Sequence, residues 1–230
     1  MSNLPLTGIS SMATRQVLAD LLELHARQGG PAVLVESIGG VDAARRVQAG
    51  ESFDVVFLAS KAIDELIAAG KVLPGSRVDL VKSGVAVAVP TGAQRPDIGS
   101  EQAVRDAVMS ARTLGYSTGP SGVALVKLFE RWGIASDIQG RIVQAPAGVP
   151  VGSLVAKGEV ALGFQQLSEL TNLPGIDVLG PLPPEIQIIT TFSAGVCATS
   201  RQPDAVRALL QWLADPVTAG IKQRNGMDPA

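Results

Sequence analysis

Leu4-Pro5-Leu6-Thr7-Gly8-Ile9-Ser10-Ser11-Met12 and Thr113-Leu114-Gly115-Tyr116-Ser117-Thr118-Gly119-Pro120-Ser121-Gly122 share one design: a short apolar strand containing Gly, a Ser-rich turn, then an amphipathic run. After the first, Val17, Leu18, Leu21, Leu22 and Leu24 recur at helical spacing from Met12 to about Gln28, until Gly29-Gly30-Pro31 stops the helix. After the second, a helix from Val123 to Trp132 ends at Gly133. A strand that enters a helix through a hydroxyl-rich turn leaves backbone N–H groups and the positive end of the helix dipole at that turn, which binds an anion without needing a cation. Two such mouths predict an oxyanion held between two lobes, met by Ser10 and Ser11 from one and by Ser117, Thr118 and Ser121 from the other. The plainer alternative is that these residues are N-caps, favoured by the same backbone chemistry.

Between the two stretches the pattern repeats. Ala32 to Ser37 is a β-branched strand, Ile38-Gly39-Gly40-Val41 a tight turn, and Asp42 to Ala49 a helix closed by Gly50. Phe53 to Leu58 is nearly all apolar, as a strand buried on both faces of a parallel sheet must be. Lys61 to Ala69 is a helix, Val85 to Val89 a buried strand before Pro90, and Glu101 to Ser110 a helix. Beyond the second Ser turn come strands at Gly140 to Gln144 and Ala161 to Phe164, a short helix at Val151 to Lys157, and a brief turn or helix at Ser168 to Leu173. Pro181-Leu182-Pro183-Pro184 must be extended and cannot form a central strand. Ile186 to Thr191 and Phe192 to Thr199 are strand-like, and helices at Asp204 to Ala214 and Pro216 to Arg224 follow. Because the second Ser turn starts a fresh βαβ series, the chain reads as α/β with two similar lobes, residues 1–84 with 193–230 and residues 85–192.

Composition narrows the function classes. With 230 residues and 46% hydrophobic content there is enough apolar surface for substantial cores. A net charge of -2 with scattered basic residues argues against a nucleic acid or an anionic membrane surface as partner. Aromatic residues at 3% leave little for base or sugar stacking, so a compact polar ligand fits better. No apolar run approaches the ~20 residues that span a bilayer. Met1 to Pro5 lacks the basic and apolar regions of a secretory leader, which reads as cytoplasmic as written, or periplasmic if a leader has been removed. The single Cys197 cannot form an internal disulfide, and one His and one Cys far apart offer no metal site. Neither a dinucleotide fingerprint nor a P-loop is present, and no His is placed to activate a Ser nucleophile, so neither a cofactor nor hydrolase chemistry is expected.

The order of these segments resembles the molybdate-binding type of periplasmic solute-binding proteins. The resemblance covers nearly the whole chain and rests on Ser10-Ser11, on Val35-Glu36-Ser37-Ile38-Gly39-Gly40, on Ala49-Gly50-Glu51-Ser52-Phe53-Asp54-Val55-Val56 and on Ala69-Gly70-Lys71-Val72. It implies a type II periplasmic-binding-protein fold, each lobe a mostly parallel sheet flanked by helices, with a two-strand hinge. It also implies a small anionic ligand in the interlobe cleft and membrane transporter subunits of the ABC type as partners. By the same resemblance, ligand contacts fall on Ser10 and Ser11, on Gly39, Gly40 and Val41, on Ser117 to Gly122, and on Gly148 and Val149. The chain departs from the pattern twice. Gly40 or Val41 stands where such proteins usually place a Ser, and Gln165 stands where they present a Tyr. Lost bulk and an added amide suit an organic carboxylate at least as well as a metal oxyanion.

An aconitate isomerase-like branch is similar too, which implies the alternative of an enzyme that moves a proton and a double bond in a tricarboxylate. Arg15, and Arg45 or Arg46, are candidates to grip a carboxylate bidentately. A proton shift needs a base that titrates near the working pH, and the candidates are Glu36 and Tyr116. His25, late in its helix, reads as a residue favoured there by the helix dipole.

Overall fold

Alternation in a single strand sets the layering of the first half of the chain. In the computed structural model, which describes residues 4–146 and 148–230, Val55 and Phe57 point into one apolar cluster while Val56 and Leu58 point into another on the opposite face. A strand so placed must lie inside a sheet covered on both sides. The order of elements is β1 (Leu6–Ser11), α1 (Arg15–Arg27), β2 (Val33–Ile38), α2 (Gly40–Gln48), β3 (Val55–Ala59), α3 (Ser60–Ala68) and β4 (Val78–Pro90). There follow α4 (Glu101–Ser110), β5 (Leu114–Tyr116), α5 (Pro120–Arg131), α6 (Ala135–Ile138), β6 (Ile142–Gln144), α7 (Val151–Ala156), β7 (Leu162–Gln166), α8 (Leu167–Leu170) and β8 (Ile176–Pro181). Strand β9 (Ile189–Val196), α9 (Pro203–Ala214), α10 (Ala219–Arg224) and β10 (Asp228–Pro229) complete the chain.

The chain divides into two compact units, one comprising the residues up to Lys82 with Thr191–Ala230, the other Ser83–Thr190. It passes from the first to the second within β4 and returns at β9. In unit 1, β1 pairs in parallel with β2 and with β3, and β9 adds antiparallel to β3, with Val56 opposite Gly195. In unit 2, β5 pairs in parallel with β6 and with β7, and β4 adds antiparallel to β7, with Val87 opposite Phe164. The two units therefore repeat one topology. A central parallel strand connects first to an outer neighbour and then across to the other side, where an antiparallel strand closes the row.

The core of unit 1 lies on both faces of its sheet. Val17, Leu18 and Leu21 of α1 with Leu209, Leu210 and Leu213 of α9 cover one face, and Ala43, Val47, Ile63 and Leu66 of α2 and α3 cover the other. In unit 2, Leu125, Leu128 and Phe129 of α5 pack with Leu114, Tyr116, Leu162 and Phe164. The opposite face carries Gly115 and Gly163, where a Cβ on Gly163 would stand 2.5 Å from Val155 Cγ2. The missing side chains let α7 approach the sheet closely.

The structure differs from the sequence expectations at several edges. Strand β4 starts at Val78 rather than Val85, because Leu80 and Val81 are buried in unit 1. The two strand-like stretches read after Ile186 are the single strand β9. Of the run expected to be extended, Pro184 instead opens a 3-10 turn at Pro184–Ile186, since Pro at the first helical position needs no N–H. Strand β8, helix α6 and strand β10 have no strong period in the sequence and are found only in the fold. No helix among the described residues is long and apolar enough to cross a membrane.

Candidate functional site

In open parallel sheets, ligands collect outside the carboxyl ends of the strands where successive connections diverge to opposite sides. That point lies between β1 and β3 in unit 1 and between β5 and β7 in unit 2, and each Ser turn leaves the sheet there.

Unit 1 brings three helix entrances to this edge, and none is capped by its own side chain. Ser11 precedes a 3-10 turn at Met12–Thr14 that leads into α1, Gly39 precedes α2 and Ala59 precedes α3, all without a side-chain cap bond. Ser10 is fully buried, and its Oγ lies 2.7 Å from Ser37 Oγ at the end of β2. Ser11 is only 6% exposed, and its Oγ is buried with no hydrogen-bond partner among the described residues. Leaving a buried hydroxyl unmatched costs about 1–3 kcal/mol, so such a group points to something it was shaped to meet. A Cβ on Gly40 would sit 3.3 Å from Ser11 Cβ, so the bare first residue of α2 lies against the Ser11 side chain. Val41 is 53% exposed. Ser60, at the start of α3, is already engaged: its Oγ donates to the Thr191 carbonyl and lies 2.6 Å from Ser193 Oγ, which donates to Asp79. Burial alone would raise the Asp79 carboxyl, but hydrogen bonds from Ser193 and Arg77 outweigh it and hold it below the usual range.

The arginines separate by position. Arg15, first residue of α1, is exposed and has no carboxylate partner among the described residues. A cation there opposes the helix dipole. Arg45 pairs with Asp42 at 3.0 Å, and Arg46 binds both Glu36 and Glu51 while lying 5.3 Å over the Phe53 ring. Glu36 of β2 and Glu51 of the following loop already hold the Arg46 guanidinium, which corrects the expectation that Arg46 grips a ligand, whereas Arg45 stays largely exposed beside Asp42. Glu36 is in consequence an ion-paired carboxylate. His25 is buried against Trp212, with ring centroids 4.8 Å apart, and its Nδ1 has no partner. Burial pushes its pKa down, so it is kept neutral rather than held as a cation by the dipole, which corrects the sequence reading.

In unit 2, Ser117 Oγ lies 3.5 Å from Ser121 Oγ and accepts from the Gly119 N–H at 3.4 Å. Ser121 is buried, Thr118 exposed, and α5 starts at Pro120 with no side-chain cap. A side chain on Gly122 would overlap the Ser117 carbonyl, so the turn closes only around glycine. Gly148 takes the left-handed conformation at φ 77°, and the Val149 N–H donates to the Pro146 carbonyl at 3.0 Å. Tyr116 packs against Phe129, and burial pushes its phenol up, so it stays protonated at neutral pH.

Gln165 and Gln166, expected just after β7, belong to it and point to opposite faces. Gln165 is 2% exposed and its Oε1 accepts from the Gly152 N–H in α7 at 3.1 Å. Glu169 follows in α8, the next element of the chain, and burial pushes its carboxyl up to about 7, partly opposed by the Gln165 amide. Glu169 carries no motif and escaped the sequence reading. The one available signal was an acidic residue three positions beyond the end of β7, between Leu167 and Leu170. Among the described residues, no group of three or more His, Cys, Asp or Glu is placed to hold a metal ion.

A family model described as bacterial extracellular solute-binding protein matches residues 6–228. An aconitate isomerase from Pseudomonas sp. is 41% identical over 185 residues, which is 80% of this chain and 70% of that protein. Among solved structures, the periplasmic molybdate-binding protein of Azotobacter vinelandii superposes with a TM-score of 0.79 at 23% identity, covering 96% of this chain and 98% of that one. The sulfate-binding protein of Mycobacterium tuberculosis gives 0.78 at 17% identity, covering 98% and 87%. At these identities the two structures speak for the fold.

Proposed function

The chain belongs to the bacterial extracellular solute-binding protein family, and from that premise we propose that it binds a small organic acid, with one ligand carboxylate at the Ser11 edge of unit 1. The observation that carries this reading is the Ser11 hydroxyl, buried and unpartnered among three uncapped helix entrances. Arg15, at the mouth of α1 without a carboxylate of its own, supplies the charge that a carboxylate or oxyanion needs. The bare Gly40 beside Ser11 leaves room for a ligand bulkier than a tetrahedral oxide. On this reading the protein acts outside the cytoplasmic membrane and delivers its ligand to the membrane subunits of an ABC transporter.

Thermal denaturation with citrate, cis-aconitate, trans-aconitate, molybdate, tungstate and sulfate tests it. A ligand present at 100 times its Kd stabilises the folded state by about 2.7 kcal/mol, and the organic acids are expected to do so. No shift with any of the six would overturn the anion site, and a shift with the metal oxyanions alone would overturn the organic-acid assignment.

A second reading, an isomerase that moves a proton and a double bond in a tricarboxylate, is favoured by the 41% identical aconitate isomerase. NMR of cis- and trans-aconitate mixed with the protein is expected to show interconversion, and unchanged spectra at high protein concentration would rule that reaction out.

A further inference from the structure

The Ser60 hydroxyl, at the entrance of α3, ends a chain of hydrogen bonds in which every proton can be assigned, and all its members lie in unit 1. Arg77 donates to both oxygens of Asp79, which keeps that carboxyl ionised and able only to accept. Ser193 is buried and spends its proton on Asp79 Oδ1 at 2.6 Å. Across the 2.6 Å between Ser193 Oγ and Ser60 Oγ, the donor must then be Ser60. The other partner of Ser60, the Thr191 carbonyl at 3.0 Å, is likewise an acceptor. Because the Ser60 proton is shared between these two, its Oγ offers only lone pairs to anything else.

Ser60 stands at the same edge as Ser11. Strands β1 and β3 run side by side with Ser10 opposite Phe57, and a Cβ on Gly40 would meet both Ser11 Cβ at 3.3 Å and Leu58 Cδ2 at 3.9 Å. Ser60 follows Leu58 by two residues, is only partly buried, and opens the 9-residue helix α3, which has no side-chain cap. The buried, unmatched Ser11 hydroxyl has a proton to give, whereas Ser60 does not. A ligand carboxylate suits Ser11 and the free N–H groups of the helix entrances. Against Ser60 the same carboxylate would set lone pair against lone pair, so only a ligand group that brings its own proton is matched there.

We propose that Ser60 selects hydroxy acids, accepting a hydrogen bond from a ligand hydroxyl beside the carboxylate that Ser11 receives, with Ser193 and Asp79 as its positioning residues. This rests on the organic-acid reading above and names the second group of its ligand. Sulfate and molybdate carry no proton at neutral pH, and the Ser60 lone pairs discriminate against them for the same reason.

Calorimetric titration of the full chain with acids that differ by one hydroxyl, citrate against tricarballylate and malate against succinate, tests this. In at least one pair the hydroxy acid is expected to bind about tenfold more tightly than its counterpart. Ser60→Ala should bring that pair to within about threefold while the acid without a hydroxyl keeps its affinity. Asp79→Asn should narrow the ratio as well, because an amide can donate to Ser193 and release the direction of the chain, and it decides the matter where Ser60→Ala does not fold. Equal affinities within both pairs for the unaltered chain, or a preference that survives in the folded variant, overturn the proposal and leave the organic-acid reading standing. No binding of any of the four acids overturns both.

Discussion

At the scale of single residues, Ser11 sets stability against function. Its Oγ is buried and unmatched, so removing it should relieve the folded chain of an unsatisfied polar group. Ser11→Ala is expected to stabilise the ligand-free protein by about 1 kcal/mol, roughly 2 °C in melting temperature, while weakening organic-acid binding by about tenfold. Calorimetric titration paired with thermal denaturation checks both. A destabilised variant, or one with unchanged affinity, would show that the hydroxyl is not waiting for a ligand. The residue type was legible in the sequence because Ser before a helix is a recognisable pattern. Its lack of a partner was not, since N-caps and anion sites share one composition and differ only in where the hydroxyl ends up.

At the scale of elements, the close seating of α7 depends on two glycines in adjacent strands. Gly163 faces Val155 and Val151, and Gly115 faces Val160 and Val151. Gly163→Ala should force α7 outward at a cost of about 1–3 kcal/mol and break the bond from the Gly152 N–H to Gln165. The expected result is a lower melting temperature. A variant with unchanged stability would show that the helix can shift freely. The helices and inner strands could be read from their periods, because their burial is repetitive. Strand β8 and helix α6 could not, being held by neighbours distant in sequence rather than by a pattern of their own.

At the scale of the whole molecule, a buried imidazole and a half-buried carboxyl give stability opposite dependences on pH. The folded-state pKa of His25 is depressed below 6.5, so the stability tied to its neutral form is present above 6.5 and is lost as pH falls through the folded value. That of Glu169 is raised from 4.5 to about 7, so its contribution is full below 4.5 and is lost as pH rises through 7. Melting temperature is therefore expected to peak in mildly acid solution and decline on both sides. Glu169→Gln should flatten the decline between about pH 4.5 and 7, which amounts to at most about 3 kcal/mol. An unchanged slope over that window in the variant would place the effect elsewhere.

Much of the architecture follows from the order of residues alone. The α/β class, the doubled strand–turn–helix series and the positions of both Ser turns are local patterns, written in periodicity and in turn-forming residues. The roles within the site depend on folding. Arg46 was as plausible a ligand grip as Arg15 until β2 and the loop after α2 brought Glu36 and Glu51 to it. Gln165 looked like any amide at a strand end until α7 brought the Gly152 N–H to its Oε1. Charge, hydrogen bonding and burial are set by groups far apart in the chain, so the partners that decide which residue is spent and which is available appear only in three dimensions.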